Sequence, residues 1–147
     1  MAEAWRGIRV TIPSEVRFLG PIRIMIDEAC GISGLTEEDR AEVQIAVQEG
    51  CANVIRHCYK SEAGKRIDLR VSFFKEALEI RVDDYGTFVD PAQIRGRELE
   101  DVRPGGLGVH LMRKSMDEVR YAKNAWGGTT LTLVKRLGKE GGAKENA

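Results

Sequence analysis

The stretch Glu49-Gly-Cys-Ala-Asn53 lies in an apolar run with helical periodicity, so its acid and its amide fall one turn apart on the same helix face. Two further segments complete the pattern. Asp83-Asp84-Tyr-Gly86 ends a run with strand alternation, and Gly105-Gly106-Leu-Gly108 opens a second helical run after a polar loop. In this order and spacing, the three segments could together hold a magnesium nucleotide.

The composition is typical of one soluble globular domain. The chain has 147 residues, of which 42% are hydrophobic and 31% are charged. A chain of this length can bury a core without disulfides or metals. Its 23 Lys and Arg residues balance its 23 Asp and Glu residues. No global field therefore favours nucleic acid or an anionic membrane as a partner.

The three cysteines, Cys30, Cys51 and Cys58, are odd in number and form no CxxC pair. This usage fits reduced thiols in a cytosol better than a disulfide framework, and it lacks the spacing of a zinc site. The N-terminus carries no signal-peptide stretch, and no run approaches the roughly 20 apolar residues that span a bilayer. We therefore predict a cytoplasmic protein.

The beginning of the chain predicts a strand followed by a helix. Apolar and polar residues alternate over residues 7–12, which indicates a strand. Ser14 is a possible N-cap of a first helix that would run to about Cys30. Pro21 either kinks this helix or marks its true start, because proline removes a hydrogen bond from a helix interior.

A second helix and a hairpin are predicted next. Thr36-Glu-Glu-Asp39 resembles a capping box and indicates a helix that runs to about Tyr59. The alternating runs 67–73 and 78–82 predict two antiparallel strands that turn at Lys75-Glu76.

The remainder predicts a loop, a short helix and two strands. Residues 86–106 form a long polar loop, which in a compact domain is usually functional or mobile. A helix is predicted over residues 108–115. Two more strands follow, marked by Val119, Tyr121, Leu131 and Leu133. Residues 138–147 are predicted to be a disordered tail after a single domain, 1–137. The predicted fold is an α+β two-layer sandwich, with a mixed, mostly antiparallel sheet and helices on one face.

Glu49 and Asn53 allow several interpretations. Carboxylate and amide oxygens suit magnesium, and Glu49 could instead deprotonate an attacking hydroxyl as a general base. The alternative is an ordinary solvated helix face, along which His57 continues the polar stripe.

Asp84 and the glycines are also ambiguous when each is taken alone. A carboxylate at a strand end could accept a hydrogen bond from an exocyclic amine such as that of adenine, or it could simply form a turn. Asp83 should face the opposite way. Backbone N–H groups of Gly105–Gly108 could approach phosphates at a helix N-terminus, or the segment could be a flexible turn. Thr130 could contact a base edge, although β-propensity explains it equally well.

Taken in order, these segments resemble the Bergerat-fold (GHKL) ATPases, and within them the small anti-sigma-factor serine kinases of bacterial stress response and sporulation. Glu49-x-x-x-Asn53 is similar to the N box, Asp84-x-Gly86 to the first glycine box, and Gly106-x-Gly108 to the second. Gly128-Thr-Thr130 matches the closing segment. The resemblance covers residues 8–136.

The resemblance implies a role for each of these positions. Asn53 would bind magnesium, and Glu49 would be the base that activates a serine hydroxyl on a partner protein. Asp84 would hold the adenine amine with support from Thr130, and Arg103 would neutralise γ-phosphate charge. The other implied nucleotide-binding residues are His57, Gly86, Gly106 and Gly108. Residues 87–106 would form a lid over the phosphates, and Arg23 would contact protein partners.

The sequence departs from the family pattern at three places. Thr87-Phe88 replaces the second glycine of the first glycine box, which would stiffen the lid hinge. The position of Arg103 differs by about a residue from that of the family's lid arginine. Cys58 replaces a glycine that often follows the N-box histidine.

The resemblance implies an ATP-dependent and magnesium-dependent serine kinase that sequesters a sigma factor or similar regulator and phosphorylates a STAS-type antagonist. It also implies a homodimer formed through the first strand and helix. Two alternatives stay open. One is a non-catalytic module in which ATP gates a protein interface, and the other is a histidine-kinase-like catalytic domain that acts in trans.

Overall fold

Five strands form one sheet in the described part of this computed structural model, which comprises residues 5–88 and 110–138. The strands are β1 (Gly7–Pro13), β2 (Arg66–Phe73), β3 (Ala77–Asp84), β4 (Glu118–Lys123) and β5 (Thr129–Arg136). Their order is β1-β2-β3-β5-β4, and every neighbouring pair is antiparallel. The predicted strands are confirmed, and the sheet is antiparallel throughout these pairs rather than mixed.

Two long helices lie between β1 and β2 in the chain. A 3₁₀ turn at Val16–Phe18 leads into α1 (Leu19–Ser33), and α2 (Glu37–Asn53) continues directly into a π-helical turn at Val54–Cys58. Residues 110–115 are also helical, as predicted for that region.

The core lies between the helices and one face of the sheet. Every second residue of β3 is buried, and the largest fully buried side chains come from both layers: Ile22, Ile26, Val43, Val47, Ile67, Leu69, Val71, Leu78, Ile80 and Val82. Each such side chain contributes about 1.5–3 kcal/mol when buried. Gly50 lets α2 approach β5 closely, because a Cβ there would lie 2.6 Å from Leu131 Cδ2. The predicted two-layer α+β sandwich is confirmed.

The start of α1 corrects one prediction. Ser14 is not an N-cap, because its hydroxyl donates to Glu62 O at 2.6 Å and accepts from Lys65 N at 3.0 Å. It ties the end of β1 to the loop before β2 instead. The N-cap of α1 is Phe18, which makes no side-chain capping bond. Pro21 lies in the first turn, where its missing N–H costs no helical hydrogen bond, so it marks the helix start rather than a kink.

The start of α2 is as predicted, but its end differs. Thr36 Oγ1 accepts a hydrogen bond from Asp39 N at 3.1 Å, and the first turn carries three acids that favour the helix dipole. The predicted helix to Tyr59 changes hydrogen-bonding pattern after Asn53, and Tyr59 N donates to Val54 O at 2.8 Å across a π turn.

Lys135 connects three parts of the fold. Its Nζ donates to Glu42 Oε1 at 2.8 Å and to Ser115 O at 2.5 Å, and it lies 3.7 Å from Asp39 Oδ1. Burial lowers the pKa of Lys135, but the hydrogen bond and charge of Glu42 outweigh burial and leave that pKa raised. This ammonium group therefore links β5, α2 and the end of the 110–115 helix.

None of the helices in residues 5–88 and 110–138 is both long and apolar enough to cross a membrane. Most of the predicted tail, residues 139–147, lies outside the described residues, and the domain boundary near residue 137 stays a prediction.

Replacing Thr36 with alanine should lower the free energy of unfolding by about 1 kcal/mol, because the Asp39 N–H loses its capping acceptor. Urea unfolding of Thr36→Ala, with Thr36→Ser as the matched control that retains a hydroxyl, measures the effect. Equal stability of Thr36→Ala and wild type would show that this cap contributes nothing.

Candidate active site

Glu49 and Asn53 lie side by side on the last turn of α2, and Arg56 contacts both. The Arg56 Nη2 atom lies 3.5 Å from Glu49 Oε2 and donates to Asn53 Oδ1 at 3.3 Å. The structure therefore brings together the acid and the amide that the sequence singled out. A guanidinium occupies the space to which both oxygen atoms point.

Glu49 carries a buried oxygen without a hydrogen bond. Its side chain is 21% exposed, and Oε2 has no hydrogen-bond partner in the described residues, although Arg56 lies at ion-pair distance. An unsatisfied buried acceptor costs free energy and is unusual in a folded protein. Such an oxygen can accept a hydrogen bond from an incoming hydroxyl, or contact a cation, when the Arg56 guanidinium moves away.

His57 follows Asn53 on the π-helical turn. π turns often mark functional sites, since the extra residue per turn redirects side chains. Partial loss of water around the ring lowers the pKa of His57, and the charge of Arg56 lowers it further. The imidazole is therefore predominantly neutral at neutral pH.

Asp84 lies at the end of β3 and is only 3% exposed. Its Oδ1 accepts hydrogen bonds from Gly86 N and from Thr129 N, both at 3.1 Å. Asp83 faces the opposite side of the strand, as predicted, so Asp84 is the carboxylate that points to the helical layer. The two backbone donors fix its orientation.

The structure does not bring Thr130 to Asp84. Thr130 pairs with Asp83 across the sheet, and its hydroxyl donates to the Asp83 carboxylate on the face away from the helices. Thr129 lies one residue earlier and therefore on the side of Asp84. Thr129, and not Thr130, therefore supports Asp84, because successive residues of a strand point to opposite faces of the sheet.

Two residues that the sequence analysis did not single out as site residues hold the end of β3 in place. The Tyr59 hydroxyl donates to Arg66 O at 2.6 Å and accepts from Tyr85 N at 2.8 Å. Asn124 Nδ2 donates to Asp84 O at 2.9 Å, while its Oδ1 accepts from Gly128 N at 2.9 Å. The turn-forming residue type of Asn124 was the sequence signal available for this pair.

Backbone comes very close to Asp84 and to the helix end at two glycines. A Cβ at Gly128 would overlap with Asp84 O, and a Cβ at Gly86 would overlap with Cys58 Sγ. Burial raises the pKa of the Cys58 thiol to about 12, and the nearby Asp84 carboxylate adds to the rise. Gly86 therefore leaves room for the thiol that replaces the usual glycine at position 58.

The chain after Gly86 pairs with the β4–β5 hairpin. Phe88 N donates to Gly127 O at 2.9 Å, so the residue in place of the second box glycine lies against the hairpin turn. The predictions for Arg103, Gly106, Gly108 and the lid beyond residue 88 lie outside the described residues.

Arg23 and Glu49 line the same open cavity between α1 and α2, which has a volume of about 440 Å³. Gln48 shapes its wall and donates from Nε2 to Leu19 O at 2.9 Å. The first helix therefore places Arg23 on the wall of a cavity that the predicted base also lines.

The donor set near Glu49 fits magnesium rather than a metal held by protein ligands alone. No group of three or more His, Cys, Asp or Glu side chains suited to a metal occurs within the described residues. Magnesium in nucleotide sites typically takes one or two protein oxygens besides phosphates and waters. The Asn53 amide oxygen and the buried Glu49 oxygen suit that pattern.

The chain matches the histidine kinase-like ATPase domain family over residues 12–135. It is 30% identical to the serine-protein kinase RsbW of Bacillus velezensis over 141 residues, which cover 90% of this chain and 87% of that protein. It is 31% identical to the same kinase of Bacillus pumilus, with the same coverage.

One solved structure shows the same fold. It contains the RsbU and RsbW domains of Rv1364c from Mycobacterium tuberculosis, with a TM-score of 0.64 at 18% identity. The match covers 89% of this chain and 32% of that longer chain. Since the family match spans most of the chain and the RsbW relatives align over nearly their whole length, this protein belongs to the histidine kinase-like ATPase family.

Proposed function

We propose that this protein is an ATP-dependent serine kinase that also sequesters a transcription regulator. The observation that carries the proposal is the buried, unsatisfied Glu49 oxygen beside Asn53, in a cavity shared with Arg23. The naming of its relatives as serine-protein kinases supports the same reaction. We place the protein in the cytoplasm.

Asp84 holds the adenine in this proposal. Its carboxylate is already oriented by Gly86 N and Thr129 N and needs no rearrangement to accept a hydrogen bond from the exocyclic amine. Preorganised acceptors bind more tightly because the ordering cost is met on folding. Thr129 takes the supporting position that Thr130 does not reach.

Glu49 accepts the proton from a serine hydroxyl of a partner protein, and Asn53 holds magnesium. When bound, magnesium supplies neutralisation of the charge on the transferred phosphoryl group. His57, neutral at neutral pH, offers a donor or acceptor near the phosphates. Positioning accounts for most of the catalysis in phosphoryl transfer.

The same cavity is the proposed contact site for the protein partners. We propose that a STAS-type antagonist presents its serine to Glu49 across the cavity lined by Arg23, and that a sigma factor is the sequestered regulator. A homodimer formed through β1 and α1 is part of the proposal.

The contact between Arg56 and Glu49 favours one alternative, a module in which ATP gates a protein interface without catalysis. A guanidinium 3.5 Å from the carboxylate blocks the approach of a serine hydroxyl to that oxygen unless the nucleotide draws the guanidinium away.

Replacing Glu49 with glutamine should keep ATP binding and lower phosphoryl transfer by about 100-fold or more, because the amide cannot accept the serine proton. Transfer from γ-labelled ATP to STAS-domain proteins of the same organism measures it, with Glu37→Gln on the same helix as control. Unchanged transfer by Glu49→Gln would overturn the assignment of Glu49 as the base. No transfer by a wild-type protein that binds magnesium ATP would make the non-catalytic module the better assignment. Acid-stable label identifies phosphoserine, whereas acid-labile label would indicate the trans-acting histidine-kinase alternative.

The Asp84→Asn variant should bind ATP about tenfold or more weakly, because it loses a charged acceptor for the adenine amine. Asp83→Asn is the matched control, since its side chain lies on the other face of β3. Calorimetric titration with magnesium ATP compares the two variants. Equal ATP affinities of the two variants would mean that Asp84 has only a structural role at the end of β3.

Removing the charge of Arg56 with Arg56→Gln should lower the magnesium concentration that half-saturates ATP binding, since a guanidinium no longer competes for the amide oxygen of Asn53. Nucleotide binding over a magnesium series tests this, with Lys60→Gln as a nearby control. A higher magnesium requirement would assign Arg56 to the phosphates instead.

A further inference from the structure

Four arginines form one row across the sheet face that points away from the helices. Arg9 pairs with Arg70, and Arg70 pairs with Arg81. Arg81 and Arg120 both pair with Thr132, one from each side. These partners lie on five adjacent strands, so the row spans about 19 Å at the usual strand spacing.

This arrangement is unfavourable for the isolated chain, because like charges directly opposite on neighbouring strands are destabilising. The positive charges of Arg81 and Arg120 are offset by ion pairs with Glu79 and Glu118 on their own strands. The arginine row repels itself and lies away from the proposed nucleotide site. We therefore expect a different function to explain it.

Arg9 and Arg70 form no ion pair within residues 5–88 and 110–138. Their guanidinium carbons instead lie 4.8 Å and 5.7 Å from the centre of the Trp5 ring. The ring is 45% exposed, and its Nε1 donates to Ser72 Oγ at 2.9 Å, which fixes it on the sheet. Two uncompensated positive charges therefore flank an exposed indole at one end of the row.

The row is bordered by acids on both sides. Asp68 and Asp83 pair with each other two residues further along β2 and β3, and Glu79 and Glu118 lie two residues away in the other direction. The surface therefore presents a positive line flanked on both sides by acids about 6–7 Å away. Three of these acids are themselves ion-paired with arginines: Asp68 with Arg66, Glu79 with Arg81, and Glu118 with Arg136.

We propose that this face docks an acidic segment of another protein, one that carries a single line of carboxylates. Carboxylates three and four residues apart on a helix are spaced about 5–6 Å, close to the strand spacing of the arginine row. The exposed Trp5 supplies apolar contact at one end, as is common at protein interfaces. This surface lies on the other side of the sheet from Asp84.

Two other occupants fit less well. A nucleic acid backbone would meet the acid rows on either side of the arginines, and the chain as a whole carries no net positive charge. A symmetric dimer with its axis through the row would set arginines against arginines.

The test uses a labelled, helix-stabilised peptide with glutamates at positions i, i+4, i+7 and i+11 and lysines on the flanking positions. Fluorescence anisotropy should show binding to wild type, about tenfold weaker binding to Arg9→Gln/Arg70→Gln, and no change with Arg17→Gln. Arg17 is an exposed arginine outside the sheet. A glutamine version of the peptide should not bind.

Measurements of folding and of nucleotide binding test whether Arg9 and Arg70 have only a structural role. Arg9→Gln/Arg70→Gln should keep magnesium ATP affinity and unfold at the same or a higher temperature, because like-charge repulsion is removed. No peptide binding, or equal binding by variant and wild type, would overturn the proposal. So would preferential binding of a single-stranded oligonucleotide, or a change in sedimentation of the variant that assigns the face to a second copy.

Discussion

The candidate site depends on how the end of β3 is held. Asp84 receives backbone hydrogen bonds from Gly86 and Thr129, and its carbonyl oxygen accepts from Asn124. Tyr59 adds a bond to the next residue from the end of the π-helical turn. Strand, hairpin and helix end therefore meet at one carboxylate, and displacing any of them would turn that carboxylate away from the helical layer.

The helical layer is positioned by a second constraint, the close approach of α2 to the sheet. Gly50 allows that approach, and Lys135 holds the start of α2 through Glu42 and Asp39. Glu49 directly precedes Gly50 in the chain, so the contact between α2 and the sheet at Gly50 also determines how deeply the proposed base is buried. The same ammonium group binds Ser115, which anchors the helix that follows the loop to the proposed catalytic helix.

Local periodicity was sufficient to predict the strands, the cap at Thr36 and the opposed faces of Asp83 and Asp84, because each depends on near neighbours in sequence. Local periodicity failed where a residue distant in sequence determines the contact that a side chain makes. Ser14 has the sequence context of a helix cap, but carbonyl and amide groups before β2 bind its hydroxyl. Thr130 occupies the motif position by sequence, but the sheet register places Thr129, and not Thr130, on the side of Asp84. The π turn after Asn53 and the cavity that Arg23 and Glu49 both line likewise required tertiary structure.

The packing of Cys58 against Gly86 and Asp84 has a consequence for redox chemistry. Burial raises the thiol pKa to about 12, as it does for Cys30 and Cys51, so the thiol form predominates at these positions at neutral pH. Oxidants and alkylating agents react with the thiolate rather than the thiol. The end of β3 thus packs against a sulfur atom that still resists oxidative modification while the protein is folded.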